Sequence, residues 1–264
     1  MGDLQTVALI SATAAELLII ALMIRGREFR AFPAFFLFLC WSLFSDWFLF
    51  YVRHSSLATD SFQIYLVQLV IDSAMIFALL VEIAWSILRP IRKSLPKYSW
   101  IGIAVLVALG ALILWPIAGL TAPDSLSDLG RKLFLLQQIP AILRAVFFLA
   151  LVAFSQLLSI GWRDRELQIA TGLGFYSIVS LAVTTIHTHQ AVGAQYEWLD
   201  VVAGLSYVAA LFYWDYSFAT KPAERREFSP QMQSMLLAVA GAAHSTRVAL
   251  GDAAADRSNK HRDR

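Results

Sequence analysis

Residues 63–88 read QIYLVQLVIDSAMIFALLVEIAWSIL, an apolar run that ends immediately before the basic stretch RPIRKSLPK at residues 89–97. At about 1.5 Å per residue, a helix of this length crosses a hydrocarbon core of about 30 Å. Similar runs lie near residues 6–24, 34–53, 99–120, 133–159, 167–188 and 197–219. With 58% hydrophobic and 15% charged residues, the chain is too apolar for a soluble domain. We therefore predict an all-α, polytopic membrane protein that folds as a seven-helix transmembrane bundle.

The basic residues of the loops predict the orientation of this bundle. Those that follow the first, third, fifth and seventh runs are Arg25, Arg27, Arg30, Arg89, Arg92, Lys93, Lys97, Arg163, Arg165, Lys221, Arg225 and Arg226. The opposite loops carry only Arg53, Arg131 and Lys132. Cytoplasmic loops of membrane proteins carry an excess of lysine and arginine. The pattern therefore predicts an N-terminus outside the cell and a C-terminus in the cytoplasm.

The composition of the chain changes after the seventh run. Residues 1–220 form the predicted transmembrane domain, and residues 221–250 contain apolar side chains at helical spacing, among them Met232, Leu236 and Val239. This spacing predicts a cytoplasmic amphipathic helix on the membrane surface or on a partner. Residues 251–264 are charged and poor in apolar side chains, which predicts a disordered tail.

Ionisable side chains inside the predicted spans are the candidates for function. Inserting one such side chain near the bilayer centre costs at least about 2.5–3.5 kcal/mol, so its presence calls for a structural or functional explanation. Candidates for a polar cavity that binds a ligand, a proton or a cation are Glu16, Asp46, Gln68, Asp72, Arg144 and Asp200. Glu82 and Asp215 lie toward the cytoplasmic side, where Glu82 could pair with Arg89 or Arg92.

One stripe of the third predicted helix carries most of its polar residues. Its members, spaced by three or four, are Tyr65, Gln68, Asp72, Met75, Leu79, Glu82 and Ser86. This spacing places them on one face, which we expect to point into the bundle.

Asp72 and Arg144 fall at similar predicted depths, about 13 Å and 16 Å from the outer ends of their helices, so a buried ion pair between them is permitted. Four acids, Glu16, Asp46, Asp72 and Asp200, are predicted in the outer half of the membrane. Arg144 alone cannot neutralise all of them. The other acids must be protonated, hydrated or bound to another partner. Structural partners within the chain would be Ser42, Ser45, Gln68, Gln138 or Tyr207.

The sequence does not predict a metal, a cofactor or a catalytic centre. His187 and His189 are two residues apart, which is unfavourable for chelation by one helix, and Cys40 is the single cysteine. The predicted seventh helix contains no lysine that could form a retinal Schiff base, and no two span histidines could bind a haem. No nucleophile and base converge, so an enzyme is the class with the least support. Gly172 and Gly174 indicate close helix packing or local flexibility rather than a nucleotide-binding loop.

The stretch REFRAFPAF at residues 27–35, followed by Tyr65, Gln68 and Glu82, resembles a recurrent group of bacterial seven-helix membrane proteins of unknown function. The resemblance covers mainly the first three predicted helices. It implies a protein of the bacterial cytoplasmic membrane and supplies no catalytic residue.

These observations favour a receptor-like or ligand-binding sensor with an outward-facing polar cavity. Its expected partners are the lipid bilayer and a cytoplasmic protein that binds the tail, with no nucleic acid and with a small ligand or ion whose identity the sequence does not give. One alternative is a proton- or cation-coupled transporter. It predicts a water-accessible path from the outer acids to Glu82 and Asp215 and either inverted repeats or broken helices, with Pro116 and Pro140 as the candidate breaks. Another alternative is a structural subunit of a membrane complex.

Overall fold

The computed structural model describes residues 2–54, 61–88, 99–120, 128–154, 164–189 and 194–220. The helices in this part of the chain are α1 (Gly2–Gly26), the 3-10 helix η1 (Glu28–Arg30), α2 (Pro33–His54), α3 (Ser61–Ile87), α4 (Ser99–Leu120), α5 (Asp128–Phe154), α6 (Arg165–His189) and α7 (Ala194–Ala219). These residues form no β-strand, which confirms the all-α class. The predicted tail elements at 221–264 lie outside the described residues.

The predicted helix bounds agree with the structure to within a few residues in most cases. α4 matches the prediction of 99–120, whereas α5 begins five residues earlier than the predicted 133. The polar first turn of α5, which includes Arg131 and Lys132, is helical although it is not apolar. Apolar content therefore marks the segment that can enter a membrane, and the helix extends beyond it.

Five of the described helices contain a segment that is long and apolar enough to cross a membrane. These segments are Val7–Gly26, Gln63–Ile87, Ser99–Pro116, Phe134–Ala153 and Arg165–Ile186. α2 contributes a shorter apolar segment, Pro33–Phe48. α7 is not among the five, and it carries the acidic residues Glu197, Asp200 and Asp215.

Six of the described helices pack in a closed ring. α1 packs on α2, α2 on α3, α3 on α5, α5 on α6, α6 on α7, and α7 returns to α1. α4 lies outside the ring against α3 and α5, and most of its side chains are exposed. One end of the ring holds η1, and there α1, α3 and α7 end while α2 and α6 begin; we call it the η1 end.

The most buried apolar side chains lie in the half of the ring nearest to the η1 end. Ile19 and Leu79 belong to this core together with Phe35 and Trp214. The Phe35 ring meets the Trp214 ring edge-on at 5.1 Å and stacks on the Phe218 ring at 5.8 Å. α2 and α7 are thus joined by aromatic packing on this side.

Gly172 and Gly174 allow α6 to approach its neighbours closely, as predicted. A Cβ atom added at Gly172 would collide with the indole of Trp214 on α7, and one added at Gly174 would collide with the ring of Phe148 on α5. Trp214 is only 1% exposed, so its ring has no free space into which to move. The two glycines therefore set the distances from α6 to α5 and α7.

We expect Gly172→Ala to lower the free energy of unfolding by about 1–3 kcal/mol, because the added methyl group overpacks a filled core. Gly110→Ala is the matched control, since a Cβ there would lie 3.6 Å from Leu143 Cδ1, an ordinary van der Waals distance. The control should stay within about 0.5 kcal/mol of the wild type. A denaturant titration in mixed micelles measures both values, and equal losses would contradict the role of Gly172.

Candidate functional site

A polar cavity of about 410 Å³ lies inside the ring of helices. Residues of α2, α3, α5, α6 and α7 line it. Its polar lining residues are Trp41, Ser42, Ser45, Asp46, Tyr65, Gln68, Asp72, Ser73, Arg144, Tyr176, Ser180 and Tyr207. Most of them lie near the middle of their helices, so the cavity lies deep in the bundle.

Glu16 of α1 lies beside this cavity and forms a compact hydrogen-bonded cluster. Its Oε1 atom accepts a hydrogen bond from Ser42 Oγ at 2.8 Å and another from the Tyr207 hydroxyl at 2.5 Å. The two hydroxyl oxygens are 2.9 Å apart. Glu16 is 1% exposed, so this cluster gives a buried carboxyl group its partners and joins α1, α2 and α7.

Asp72 of α3 is bound to α2 through an indole. Trp41 Nε1 donates a hydrogen bond of 2.6 Å to Asp72 Oδ1. Asp46, about one turn further along α2, also lines the cavity and forms no hydrogen bond with the described residues. The wall formed by α2 and α3 therefore presents two carboxyl groups. Of these, the Asp72 carboxyl accepts a hydrogen bond from Trp41.

Arg144 of α5 supplies the positive charge of the cavity. Its side chain is 9% exposed, and its Nε atom has no hydrogen-bond partner among the described residues. The guanidinium lies over the Tyr176 ring at 5.5 Å, and this ring contacts that of Tyr207 at 5.3 Å. Cation–π contact partly stabilises the charge but does not satisfy the N–H donor.

The ion pair that the sequence permits between Asp72 and Arg144 does not form, although both residues line the cavity. Trp41 holds the Asp72 carboxylate toward α2, whereas the Arg144 guanidinium is turned toward Tyr176 on α6. Similar depth along two helices permits a pair but does not determine whether the side chains face each other. The cavity keeps the opposite charges on separate walls.

The structure brings together most of the predicted cavity residues. Asp46, Gln68, Asp72 and Arg144 line one cavity, and Glu16 joins it through Ser42 and Tyr207. The other predicted member, Asp200, belongs to α7, but its side chain lies outside the described residues.

Sequence reasoning missed Trp41 and Tyr176 in this cavity. Trp41 lies near the centre of α2, away from the interface positions at which tryptophans anchor a helix. This central position indicates that the Trp41 indole does not anchor the helix at a membrane interface.

The polar stripe of α3 points into the bundle as predicted, apart from its first member. Leu79 and Ser86 are buried, and Gln68 and Asp72 reach the cavity, whereas Tyr65 is 41% exposed at the rim. The Oε1 atom of Gln68 is buried and has no described hydrogen-bond partner. The stripe thus supplies polar groups to the cavity and apolar groups to the core.

Glu82 has a role that the sequence did not suggest. Its two carboxylate oxygens accept hydrogen bonds from the backbone N–H groups of Ala34 at 2.8 Å and Phe35 at 3.0 Å. These groups belong to the first turn of α2, whose N–H donors have no partners within the helix. Arg89 and Arg92, the predicted partners of Glu82, lie outside the described residues. Asp215 is buried in α7, and neither carboxylate oxygen has a described hydrogen-bond partner.

Arg165, predicted as a loop residue, is buried at the start of α6. Its guanidinium donates hydrogen bonds to the carbonyl oxygens of Ser217 and, at 2.8 Å, of Thr220 at the end of α7. Its Nε atom lies 3.6 Å from Glu28 Oε1 in η1. Near it, Ser86 Oγ of α3 donates to Glu166 Oε1 at 2.6 Å. The η1 end is therefore held by polar contacts between α3, α6, α7 and η1.

No family model, curated protein or solved structure matches this chain. Its function must be inferred from the cavity and from the helices around it. Among the described residues, no group of three or more His, Cys, Asp or Glu side chains could hold a metal ion.

Proposed function

We propose that this chain is an integral protein of the bacterial cytoplasmic membrane that binds a small polar ligand and acts as a receptor-like sensor. In this proposal all seven α-helices cross the bilayer, with the N-terminus outside and the η1 end in the cytoplasm. The five long apolar segments and the basic loops support this arrangement. The resemblance of the first three predicted helices supports the bacterial membrane.

The observation that carries the proposal is Arg144, a buried guanidinium that faces a cavity without a hydrogen-bond partner for its Nε atom. Removing one ionised group from water without pairing it costs several kcal/mol. A protein that only needed a stable bundle would gain by placing an apolar side chain there. A ligand that carries a negative group recovers this cost, and Asp46 and Asp72 offer binding to a positive group on the same ligand.

The contacts at the η1 end supply a route by which a bound ligand could be sensed. α3 and α6 both line the cavity, and the Ser86–Glu166 hydrogen bond joins the same two helices at the η1 end. α7 lines the cavity through Tyr207 and is bound to Arg165 at the η1 end. A ligand that draws the cavity walls together would therefore change the surface presented to a cytoplasmic partner.

The transporter alternative has less support. Broken helices are one of its predictions, with Pro116 and Pro140 as the candidate breaks, and both prolines lie within continuous helices, α4 and α5. Alternating access commonly uses discontinuous helices at the binding site. The described helices around this cavity are uninterrupted.

Cysteine accessibility tests the outward-facing cavity. In a Cys40→Ser background, we expect Ser73→Cys to react with a membrane-impermeant cationic thiol reagent added outside spheroplasts, because Ser73 lines the cavity. Leu109→Cys is the matched control, since this side chain is exposed on the apolar surface of α4 and should meet lipid. Reaction only from the cytoplasmic side would reverse the proposed orientation, and no reaction from either side would contradict a water-filled cavity.

A further inference from the structure

A second cavity, of about 350 Å³, lies as a groove between α2 and α3 and adjoins the polar cavity. Trp41, Ser45 and Gln68 line both. The other walls of the groove are mainly apolar and include Phe44, Phe48, Ile64 and Val67. The two spaces are therefore adjacent, and their shared boundary carries both an indole and a polar amide.

The groove reaches the outer surface of the bundle. Phe44 is 58% exposed, Phe48 is 41% exposed and Val67 is 56% exposed. The Phe48 ring stacks on that of Phe44 at 5.8 Å, and the Phe44 ring lies 5.8 Å from that of Trp41. This aromatic strip leads inward to Trp41, whose indole is hydrogen-bonded to Asp72 in the polar cavity.

Inside a bilayer, the surface that carries this groove would face hydrocarbon. The strip would then offer an acyl chain an apolar surface that leads from the lipid phase to the boundary of the cavity. Gln68 lines both spaces and places a polar amide at their junction, where the head of an amphiphile would follow its chain. Arg144 can bind an anionic group in the cavity, and Asp46 and Asp72 can bind an ammonium group.

We infer that the ligand is a single-chain zwitterionic amphiphile, with its head in the polar cavity and its hydrocarbon chain in the groove between α2 and α3. This inference rests on the proposed ligand-binding function and specifies the class of ligand. A head with one negative and one positive group fits the separated charges of the cavity better than either charge alone. The apolar groove beside the cavity fits the hydrocarbon chain of such a ligand.

The test measures binding to the purified full-length chain in nanodiscs by native mass spectrometry. The probes are lysophosphatidylethanolamine, lysophosphatidylglycerol with the same acyl chain, and phosphoethanolamine, which has the head alone. We expect lysophosphatidylethanolamine to bind at least about tenfold more tightly than either other probe. Equal binding of the two lysolipids would overturn the zwitterionic head, and equal binding of phosphoethanolamine would overturn the role of the groove.

Val67→Trp should fill the groove and weaken lysophosphatidylethanolamine binding at least about tenfold while leaving phosphoethanolamine binding unchanged. Leu106→Trp, at an exposed position on α4, is the matched control and should change neither. Phe48→Ala provides a second groove variant that removes volume rather than adding it, and it should weaken only lysolipid binding. Unchanged lysolipid binding in both groove variants would show that the chain does not occupy the groove and would overturn the inference.

Arg144→Met separates this inference from the proposed function. It should weaken binding of both lysophosphatidylethanolamine and phosphoethanolamine, since both heads carry a phosphate. If Arg144→Met weakens binding but the groove variants do not, the cavity binds a ligand and the inferred acyl chain is wrong. If no probe binds to the wild type, the inference fails for this ligand class, and the accessibility of Ser73→Cys still decides whether the cavity is open.

Discussion

Arg165→Met is expected to lower the free energy of unfolding by about 1.5–3 kcal/mol, because it removes the hydrogen bonds and the ion pair of a buried charged group. The guanidinium is 6% exposed and binds the carbonyl oxygens of Ser217 and Thr220, which belong to the last turn of α7 and to the residue after it. The Ser217 carbonyl oxygen keeps two other donors, the backbone N–H and the hydroxyl group of Thr220, so the Thr220 carbonyl oxygen loses more. Methionine matches the length of the stem but provides no N–H group, and Glu28 loses its ion pair as well.

Two variants make this prediction specific. Arg25→Met removes an exposed arginine near the same end of the bundle and should cost less than about 0.5 kcal/mol. Arg165→Lys keeps the charge, but one ammonium cannot reproduce the planar set of donors, so we expect only partial recovery. Titration with a denaturing detergent in mixed micelles measures all three, and similar losses for Arg25→Met and Arg165→Met would refute the role of Arg165.

Glu16→Ala is the second change for which we expect a large effect, a loss of about 2–4 kcal/mol in the free energy of unfolding. It removes the acceptor shared by Ser42 and Tyr207 and leaves a space where a fully buried side chain was packed. The two hydroxyl groups can still bond to each other, but one donor then has no acceptor. A buried donor without a partner costs about 1–3 kcal/mol.

Glu16→Gln is the matched control, because its amide oxygen can accept the same two hydrogen bonds and its volume is almost equal. We expect it to retain most of the stability that alanine loses. In a double-mutant cycle, Glu16→Ala combined with Tyr207→Phe should cost less than the sum of the two single changes, since both remove one interaction. Strict additivity would show that the Tyr207–Glu16 hydrogen bond contributes nothing to stability.

The sequence predicts the helices of this fold well because apolar runs report directly on burial in lipid or protein. The polar stripe of α3 was also predictable, since helical periodicity places Gln68 and Asp72 on one face. The neighbours of each helix were not predictable. The close packing of Gly172 on Trp214 and of Gly174 on Phe148 depends on shape, and in apolar surroundings hydrophobicity does not choose between partners.

The sequence predicts most of the charged residues of the candidate site, but not the contacts that these residues make. Depth along each helix brought Asp72 and Arg144 to one level, but the rotation of their helices placed the two charges on different walls. Arg165 illustrates the same limit at a helix end, where a residue predicted as a loop arginine instead binds the end of α7. Sequence periodicity gives the face of a helix, whereas the partner depends on the three-dimensional order of the ring.

Closure of the ring between α1 and α7 has a consequence for the synthesis of the chain. About 170 residues separate the end of α1 at Gly26 from the start of α7 at Ala194. At about 5–20 residues per second, translation needs roughly 10–30 s to cover this distance. During this interval Glu16 lies in an apolar helix and lacks the hydrogen bond from Tyr207, which has not yet been synthesised. The face of α1 that later packs on α7 is still uncovered. The early nascent chain is therefore the stage at which a membrane insertase or chaperone would have the most exposed polar surface to shield.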